Sequence, residues 1–273
     1  MAVTSEPEGG MSIRSLAREK PLRVYFPLAF LLSWYPWLLS LLGVPKASGI
    51  NPLGPLVAGL ILSGLAGGWP AVRGLLLRIV RVRVAPRWYA VALLLPVLLL
   101  ASSLAINIAL GAPAPTVAQW QKWPEVFASF LFTLVFVGLG EEPGWRGYAL
   151  PQLQRVRTPL SAALVLGAIW ALWHVPLMGK EFAWPVVPCF LISVFAASVV
   201  FAWLYNGARE SVLLCMMMHA AVNVTGAGYV FRFYGGADLT RLWWIYALVW
   251  ATAAALIAWR AGPALGRRTA TPA

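Results

Sequence analysis

Long apolar stretches recur along the chain, and short polar segments separate them. A helix that crosses a bilayer needs about 20 consecutive, mostly apolar residues. Eight stretches meet that requirement: 22–43, 51–71, 88–111, 125–145, 159–179, 183–205, 209–231 and 240–260. No polar segment between them is long enough to form a large soluble domain. The pattern therefore predicts an all-α fold, a polytopic membrane helical bundle of about eight transmembrane helices.

The same pattern divides the chain into three parts. Residues 1–21 are expected to form a cytosolic N-terminal tail, residues 22–260 the transmembrane bundle, and residues 261–273 a cytosolic C-terminal tail. No clear cleavable signal precedes the bundle, and the first apolar stretch is long enough to remain in the membrane as an anchor. We therefore expect the bundle to begin with the first stretch.

Composition agrees with a membrane protein. The chain is 60% hydrophobic and 11% charged, whereas soluble domains are roughly 45–50% apolar and about 25% charged. A formal net charge of +12 would suit nucleic-acid binding, but the arginines lie in short loops between apolar stretches and not on one soluble face. We therefore expect a lipid bilayer and no nucleic acid as partner. Cys189 and Cys215 fall within apolar stretches, which favours buried thiols over a disulfide.

Lys and Arg are distributed unevenly between the two ends of the predicted helices. If the N-terminus is cytosolic, the outer segments hold only Lys46, Lys122, Lys180, Arg232 and Arg241, and the other 16 of the 21 basic residues lie inside. Cytosolic segments of membrane proteins carry such an excess. The sequence therefore predicts an integral, multi-pass protein with both termini cytosolic. A composition rich in Ala, Arg and Trp favours the bacterial inner membrane.

Few ionisable side chains lie at membrane depth. Of the nine acidic residues, only Glu141 and Glu142 fall away from tails, loops and helix ends, and the two histidines, His174 and His219, lie well inside predicted spans. A carboxylate at the bilayer centre costs on the order of 2.5–3.5 kcal/mol. These groups should therefore face the interior of the bundle and contact each other or water.

Helical spacing assigns the two glutamates different surroundings. Glu142 and Arg146 are four residues apart, so they share a helix face and can form an ion pair. Glu141 points about 100° away from Glu142 and is the freer carboxylate. Pro143 should kink the helix because it removes a backbone donor and clashes with the preceding turn. The glycines beside it should let another backbone approach closely.

Two further pairs of polar or aromatic residues share helix faces. Trp170 and His174 are four residues apart, as are His219 and Asn223. Taken singly, each residue has an ordinary structural interpretation, such as a hydrogen bond between helices. All the deep ionisable groups nevertheless fall on three neighbouring spans in the second half of the chain, and none falls on the first three. This distribution favours one shared polar site over independent structural roles.

The order and spacing of these residues resemble a known family. EEPGWR at 141–146, WALWH at 170–174 and HAAVN at 219–223 resemble the three motifs of the CAAX prenyl endopeptidase type II and bacteriocin-processing family of intramembrane proteases, also called CPBP or Abi. The resemblance covers residues 125–230 most strongly, which we take as the motif core. Trp170 departs from the pattern, since the family usually has Phe there, but it keeps an aromatic ring.

The resemblance implies a hydrolase, a CAAX-type intramembrane endopeptidase whose polar cavity opens toward the cytosol. Its substrate would be membrane-associated, a prenylated protein or a peptide with a leader. A carboxylate in an apolar pocket is a better base than one in water, and donors aimed at developing charge stabilise an oxyanion. The implied roles are Glu141 as general base assisted by His174, His219 and Asn223 as oxyanion donors, and Glu142 and Arg146 as supports.

A metal is the first open alternative. The family is often described as metalloproteases, and Glu141, His174 and His219 could supply two imidazoles and a carboxylate to zinc with a position left for water. No HExxH sequence is present, and a glutamate that ligates zinc would lose its role as base. We therefore prefer a mechanism without a cofactor and keep zinc as the alternative.

Two other classes of function also remain open. Abi-type proteins are associated with bacteriocin immunity, so the chain could bind a peptide or a membrane protein with little or no catalysis. A small transporter could use Glu141 as a proton relay, but no repeated pair of broken helices is visible in the two halves of the chain. The full set of polar residues favours an enzyme, because a binding protein needs no such combination.

Overall fold

The computed structural model describes residues 13–45 and 47–267, and of Ile13 only the backbone. Lys46 and Arg268 of the charge count lie outside the described residues, as do residues 1–12 and 268–273 of the two predicted tails. Eight helices in the described part are long and apolar enough to cross a membrane. In order, these first to eighth spans are Pro21–Leu41, Gly54–Ile79, Pro86–Ala109, Val117–Leu153, Pro159–Leu177, Trp184–Gly207, Val212–Phe233 and Gly236–Ala261. The all-α class and the count of eight are confirmed.

Two spans are longer than their apolar stretches predict. The second continues to Ile79, through a break at Gly68, whose φ of 62° lies in the left-handed region that glycine tolerates. The fourth begins at Val117 and continues to Leu153. The apolar stretch predicted an earlier end, at residue 145, because the second half of this helix carries the charged residues of the first motif. Both extensions therefore come from helix that is not uniformly apolar.

The sixth span is the centre of the bundle. It is the most buried of the eight, and it packs against the fifth and eighth spans on either side. Its buried positions include many small residues, which let neighbouring helices approach closely. Large apolar side chains such as Leu31, Val135 and Leu248 are instead exposed on the outside of the bundle, where lipid would cover them. Cys189 and Cys215 are buried free thiols, as predicted.

The fourth span changes its helical geometry around the glutamates. A π-helical turn at Leu134–Gly138 precedes the α-helical turn Leu139–Glu142, and a second π-helical segment, Pro143–Ala149, follows it. The helix therefore continues through Pro143, because a wider turn can accommodate the ring and the missing N–H. Such π-turns are frequent at functional sites.

Glycines bring the second span against this segment. A Cβ added at Gly144 would lie 2.3 Å from the backbone carbon of Pro55, and one at Gly140 would lie 2.5 Å from the carbonyl oxygen of Pro52. Both distances are too short for any side chain. The expectation of close backbone approach is confirmed, and the partners are the start of the second span and the residues just before it.

Candidate active site

Glu142 joins the first and third motifs. Its Oε1 accepts a hydrogen bond from Arg146 Nη1 at 2.9 Å and lies 2.8 Å from His219 Nδ1. The predicted ion pair with Arg146 is therefore present, with both side chains fully buried. A carboxylate paired with arginine accepts hydrogen bonds, so His219 Nδ1 is the donor. This contact leaves Nε2 as the free nitrogen of the His219 ring.

Arg146 is held by two aromatic rings as well as by the carboxylate. Its guanidinium carbon lies 4.2 Å from the ring centroid of Trp170 and 4.4 Å from that of Phe201. Stacking on desolvated aromatic rings stabilises a buried cation. Among the described residues, Arg146 Nε and Nη2 and Glu142 Oε2 have no hydrogen-bond partner. A single hydrogen bond therefore joins Arg146 to Glu142, and the rings of Trp170 and Phe201 contact the same guanidinium.

Glu141 has a different partner from its neighbour. Its Oε2 accepts a hydrogen bond from the indole nitrogen of Trp170 at 2.9 Å, and the side chain is 3% exposed. Within the described residues, its Oε1 makes no hydrogen bond. Glu141 is thus separate from the ion pair of Glu142 and Arg146, as its helical position predicted.

His174 lies at the end of a helix. The α-helix of the fifth span ends at Trp173, and His174 is its C-cap, followed by a 3₁₀ turn at Val175–Leu177. His174 is buried and within the fifth span, as expected, but the α-helix stops just before it because Pro176 restricts the preceding backbone. Its Nδ1 lies 2.7 Å from the carbonyl oxygen of Trp170, which can only accept. The proton is therefore on Nδ1, and Nε2 is free.

A cavity of about 340 Å³ brings the remaining polar groups together. Glu141, His174, His219 and Asn223 all line it, whereas Glu142 and Arg146 do not. Most of the other lining side chains are apolar or aromatic. They include Trp173, Phe182, Phe190, Phe231, Trp243 and Tyr246. Three helices therefore direct a carboxylate, two imidazoles and an amide into one largely apolar space.

The cavity reaches one face of the bundle. Its lining includes Ile50 and Pro52 from the connection after the first span, and Glu181 and Phe182 from the connection after the fifth. Glu181 is exposed there, and desolvation by its surroundings raises the pKa of its carboxyl above the usual range. One end of the cavity therefore lies beside the connections that follow the first and fifth spans.

A zinc site would need the side chains of Glu141, His174 and His219 to converge on one point. Among the described residues, no group of three His, Cys, Asp or Glu side chains lies close enough together to hold a metal ion. Glu141, His174 and His219 share the cavity, and each keeps one free ligand atom, but they do not converge on one point as they stand. The set does not fit zinc in this arrangement.

Sequence reasoning missed two contacts of the site. It treated Trp170 as a substitute for Phe, but the indole N–H binds Glu141, and the Trp170 carbonyl holds His174. It also placed Glu142 only with Arg146 and not with His219. The departure of Trp170 from the motif was a signal, since tryptophan carries a donor that phenylalanine lacks. No local signal pointed to the contact of Glu142 with His219, because 77 positions separate them.

Comparisons with known proteins agree with the motifs. Residues 121–225 match the model of the family described as type II CAAX prenyl endopeptidase Rce1-like. The chain is also 26% identical over 162 residues to CAAX prenyl protease 2 of Methanococcus maripaludis, a match that covers 54% of this chain and 57% of that protein. The chain thus matches little more than half the length of this relative. All three motifs fall within residues 121–225, the segment that matches the model of this family of endopeptidases.

Proposed function

We propose that this protein is an intramembrane endopeptidase of the CAAX type, which hydrolyses a peptide bond of a membrane-associated substrate. The observation that carries the proposal is the shared cavity, into which Glu141, His174, His219 and Asn223 project from three helices. The names of the family and of its relative support hydrolysis of a peptide bond. The eight apolar spans would place this cavity within a lipid bilayer, where a membrane-associated substrate could reach it.

Glu141 is the general base in this proposal. It takes a proton from water as the water oxygen attacks the carbonyl carbon of the scissile bond, and it returns a proton to the nitrogen that leaves. Its position supports the role, since it lines the cavity, is not in the ion pair with Arg146, and has a free oxygen among the described residues. His174 assists, because its free Nε2 can accept a hydrogen bond from the same water.

His219 and Asn223 stabilise the oxyanion that forms on the carbonyl oxygen. The Asn223 amide can donate in any protonation state. His219 already uses Nδ1 as a donor to Glu142, so its Nε2 can donate only when the ring is the imidazolium. The contact with a carboxylate supports that charged form. Glu142 therefore acts through His219 and Arg146 as a supporting residue, without contact with the cavity.

The preferred mechanism uses no cofactor. It assigns Glu141 to a water molecule and not to a metal. The free oxygen of Glu141 and the free nitrogen of His174 then bind the water, and the free nitrogen of His219 binds the oxyanion. Zinc remains the alternative that the family's usual description supports. In that case Glu141, His174 and His219 would have to move together to hold the ion, and the ion would polarise water.

The substrate is proposed as a peptide or a lipidated protein. The apolar, aromatic lining of the cavity suits an apolar peptide segment or a hydrocarbon chain. Incubation of purified protein in detergent with a peptide library, read by mass spectrometry, tests the function. The proposal is supported if the wild-type protein cleaves a peptide and the Asn223→Ala variant cleaves it much more slowly. Peptides that bind and stay intact would favour the alternative, an immunity or binding protein.

A further inference from the structure

We propose that Tyr246 of the eighth span is a further substrate-binding residue of this site, whose hydroxyl donates a hydrogen bond to a backbone carbonyl of the bound peptide beside the scissile bond. Trp250, one turn further along the same helix, positions that hydroxyl. The inference rests on the proposed function, because it assigns a partner within the substrate. The eighth span lies beyond the residues that match the family model, and none of the three motifs includes it.

The eighth span presents a row of aromatic side chains to the cavity. Trp243, Tyr246 and Trp250 all line the cavity that Glu141 and Asn223 also line. They are three and four residues apart within one α-helix, so they share one helix face. All three side chains are buried. The eighth span therefore forms an aromatic wall of the cavity.

Neighbouring rings hold the Tyr246 side chain in place. The ring of Phe231 meets it edge-on with centroids 5.2 Å apart, and the centroid of the Trp250 ring lies 6.0 Å away. The side chain of Tyr246 is 5% exposed. A side chain that is already fixed loses little conformational freedom when a ligand binds to it. The hydroxyl of Tyr246 is therefore preorganised for binding.

The hydroxyl has a proton to offer. Trp250 Nε1 interacts with it, although that nitrogen completes no hydrogen bond within the described residues. An indole N–H can only donate, so it favours the orientation in which the hydroxyl oxygen faces Trp250 and the hydroxyl proton points elsewhere. In the described part of the chain, no acceptor takes that proton, and the oxygen is not fully enclosed as that of Tyr205 is. The proton is therefore available to a molecule in the cavity.

The position of the hydroxyl relates it to the proposed oxyanion donors. Its oxygen lies 3.9 Å from the place that a Cβ would take at Gly226. Gly226 is the C-cap of the α-helix that carries His219 and Asn223, and it follows Asn223 by three residues, or about 4.5 Å of helical rise. An extended peptide advances about 3.3 Å per residue. A peptide whose scissile carbonyl faces Asn223 therefore brings a carbonyl one or two residues away to Tyr246.

The surroundings give this contact its effect on binding. A peptide that enters a largely apolar cavity loses the hydrogen bonds that its carbonyls made to water, and each unpaired carbonyl costs free energy. His219 and Asn223 are assigned to the scissile carbonyl. The Tyr246 hydroxyl is the donor on the eighth span that satisfies a neighbouring carbonyl, in the ground state as well as in the transition state.

Steady-state kinetics of Tyr246→Phe tests the contact. We expect KM for a cleaved peptide to rise about 2- to 12-fold, the effect of a neutral hydrogen bond of about 0.5–1.5 kcal/mol. We expect kcat to stay unchanged, since uniform binding is lost. Tyr205→Phe is the matched control, because its hydroxyl also lacks a partner among the described residues but does not line the cavity. An unchanged KM in Tyr246→Phe, a loss confined to kcat, or an equal rise of KM in Tyr205→Phe would overturn the contact.

Substitutions in the peptide and at Trp250 test the two partners of the hydroxyl. Each carbonyl within two residues of the cleaved bond is replaced in turn by a thiocarbonyl, which is a weaker acceptor. We expect one replacement to raise KM for the wild-type protein and to leave that of Tyr246→Phe unchanged. Trp250→Phe should likewise raise KM in the wild-type background and not in Tyr246→Phe. Fully additive effects would overturn the assigned partners.

Peptide binding to Glu141→Ala separates this inference from the proposed function. In that background, adding Tyr246→Phe should raise the Kd of a bound peptide by the same 2- to 12-fold. If Kd rises in this way while the wild-type protein cleaves no peptide, the proposed function fails and the contact stands. If the wild-type protein cleaves peptides and Tyr246→Phe leaves Kd unchanged, the contact fails and the proposed function stands.

Discussion

The indole nitrogen of Trp170 lies 2.9 Å from Oε2 of Glu141, and both side chains are buried. The same residue offers its carbonyl oxygen to the His174 ring at 2.7 Å. One residue of the fifth span thus positions both groups that the proposal assigns to the activation of water. A phenylalanine at this place could provide the carbonyl but not the indole donor.

Trp170→Phe should reduce kcat/KM for a cleaved peptide by about 10- to 100-fold, since a hydrogen bond to a charged group contributes about 1.5–3 kcal/mol. Trp145→Phe is the matched control, because Trp145 is also fully buried, its indole nitrogen has no partner among the described residues, and it does not line the cavity. We expect the control to lose some stability and to retain cleavage. Equal activity losses in the two variants would show that the indole donor is unimportant.

Glu142→Gln should lower both thermal stability in detergent and activity. Removal of one partner from a buried ion pair typically costs about 3–5 kcal/mol, and this carboxylate also contacts His219. Asp238→Asn is the control, because its pair with Arg241 is partly exposed and such pairs contribute about 0–1 kcal/mol. Unchanged stability with complete loss of cleavage in Glu142→Gln would mean that the roles of Glu141 and Glu142 must be exchanged.

Gly144→Ala should destabilise the protein, by about 1–3 kcal/mol if the backbone shifts. Its Cβ would lie 2.3 Å from the Pro55 backbone, which cannot rotate away as a side chain could. Gly74→Ala provides the comparison, since it lies in a helix with no atom within 4 Å of the new Cβ. Thermal unfolding of both variants in detergent measures the effect. A Gly144→Ala protein as stable as the wild type would contradict the close approach of the two spans.

Treatment with strong zinc chelators, followed by their removal, should leave peptide cleavage unchanged, because the preferred mechanism needs no metal. The metal content of the treated protein is measured in parallel, so that depletion is established independently. Loss of cleavage that added zinc restores would support the alternative, in which Glu141, His174 and His219 bind the ion.

Much of the fold was readable from sequence because the bilayer imposes a simple rule on it. Any span must be long and apolar, so eight stretches predicted eight helices. The rule failed at the edges of the second and fourth spans, where glycine, proline and charged residues interrupt apolar helix without ending it. It also missed that the α-helix of the fifth span ends at Trp173, because hydropathy does not detect the restriction that Pro176 places on the preceding backbone.

The candidate site was readable where its contacts are local. Spacing of four residues predicted the pair of Glu142 and Arg146, and the same geometry separated Glu141 from it. The contacts of Glu142 with His219 and of Trp170 with Glu141 join different helices. Helical periodicity gives the face on which a residue lies but not which residue of another helix will meet it. Those contacts therefore needed the three-dimensional arrangement, and the catalytic roles remain predictions.

The most direct measurement of the central claim is peptide cleavage by Glu141→Ala, with thermal unfolding of the same preparation. Glu125→Ala is the control, since Glu125 is an exposed glutamate of the same span. The proposed mechanism predicts that Glu141→Ala stays folded and cleaves no peptide detectably, while Glu125→Ala cleaves like the wild type. Full cleavage by folded Glu141→Ala would contradict the assignment of Glu141 as the base that activates water.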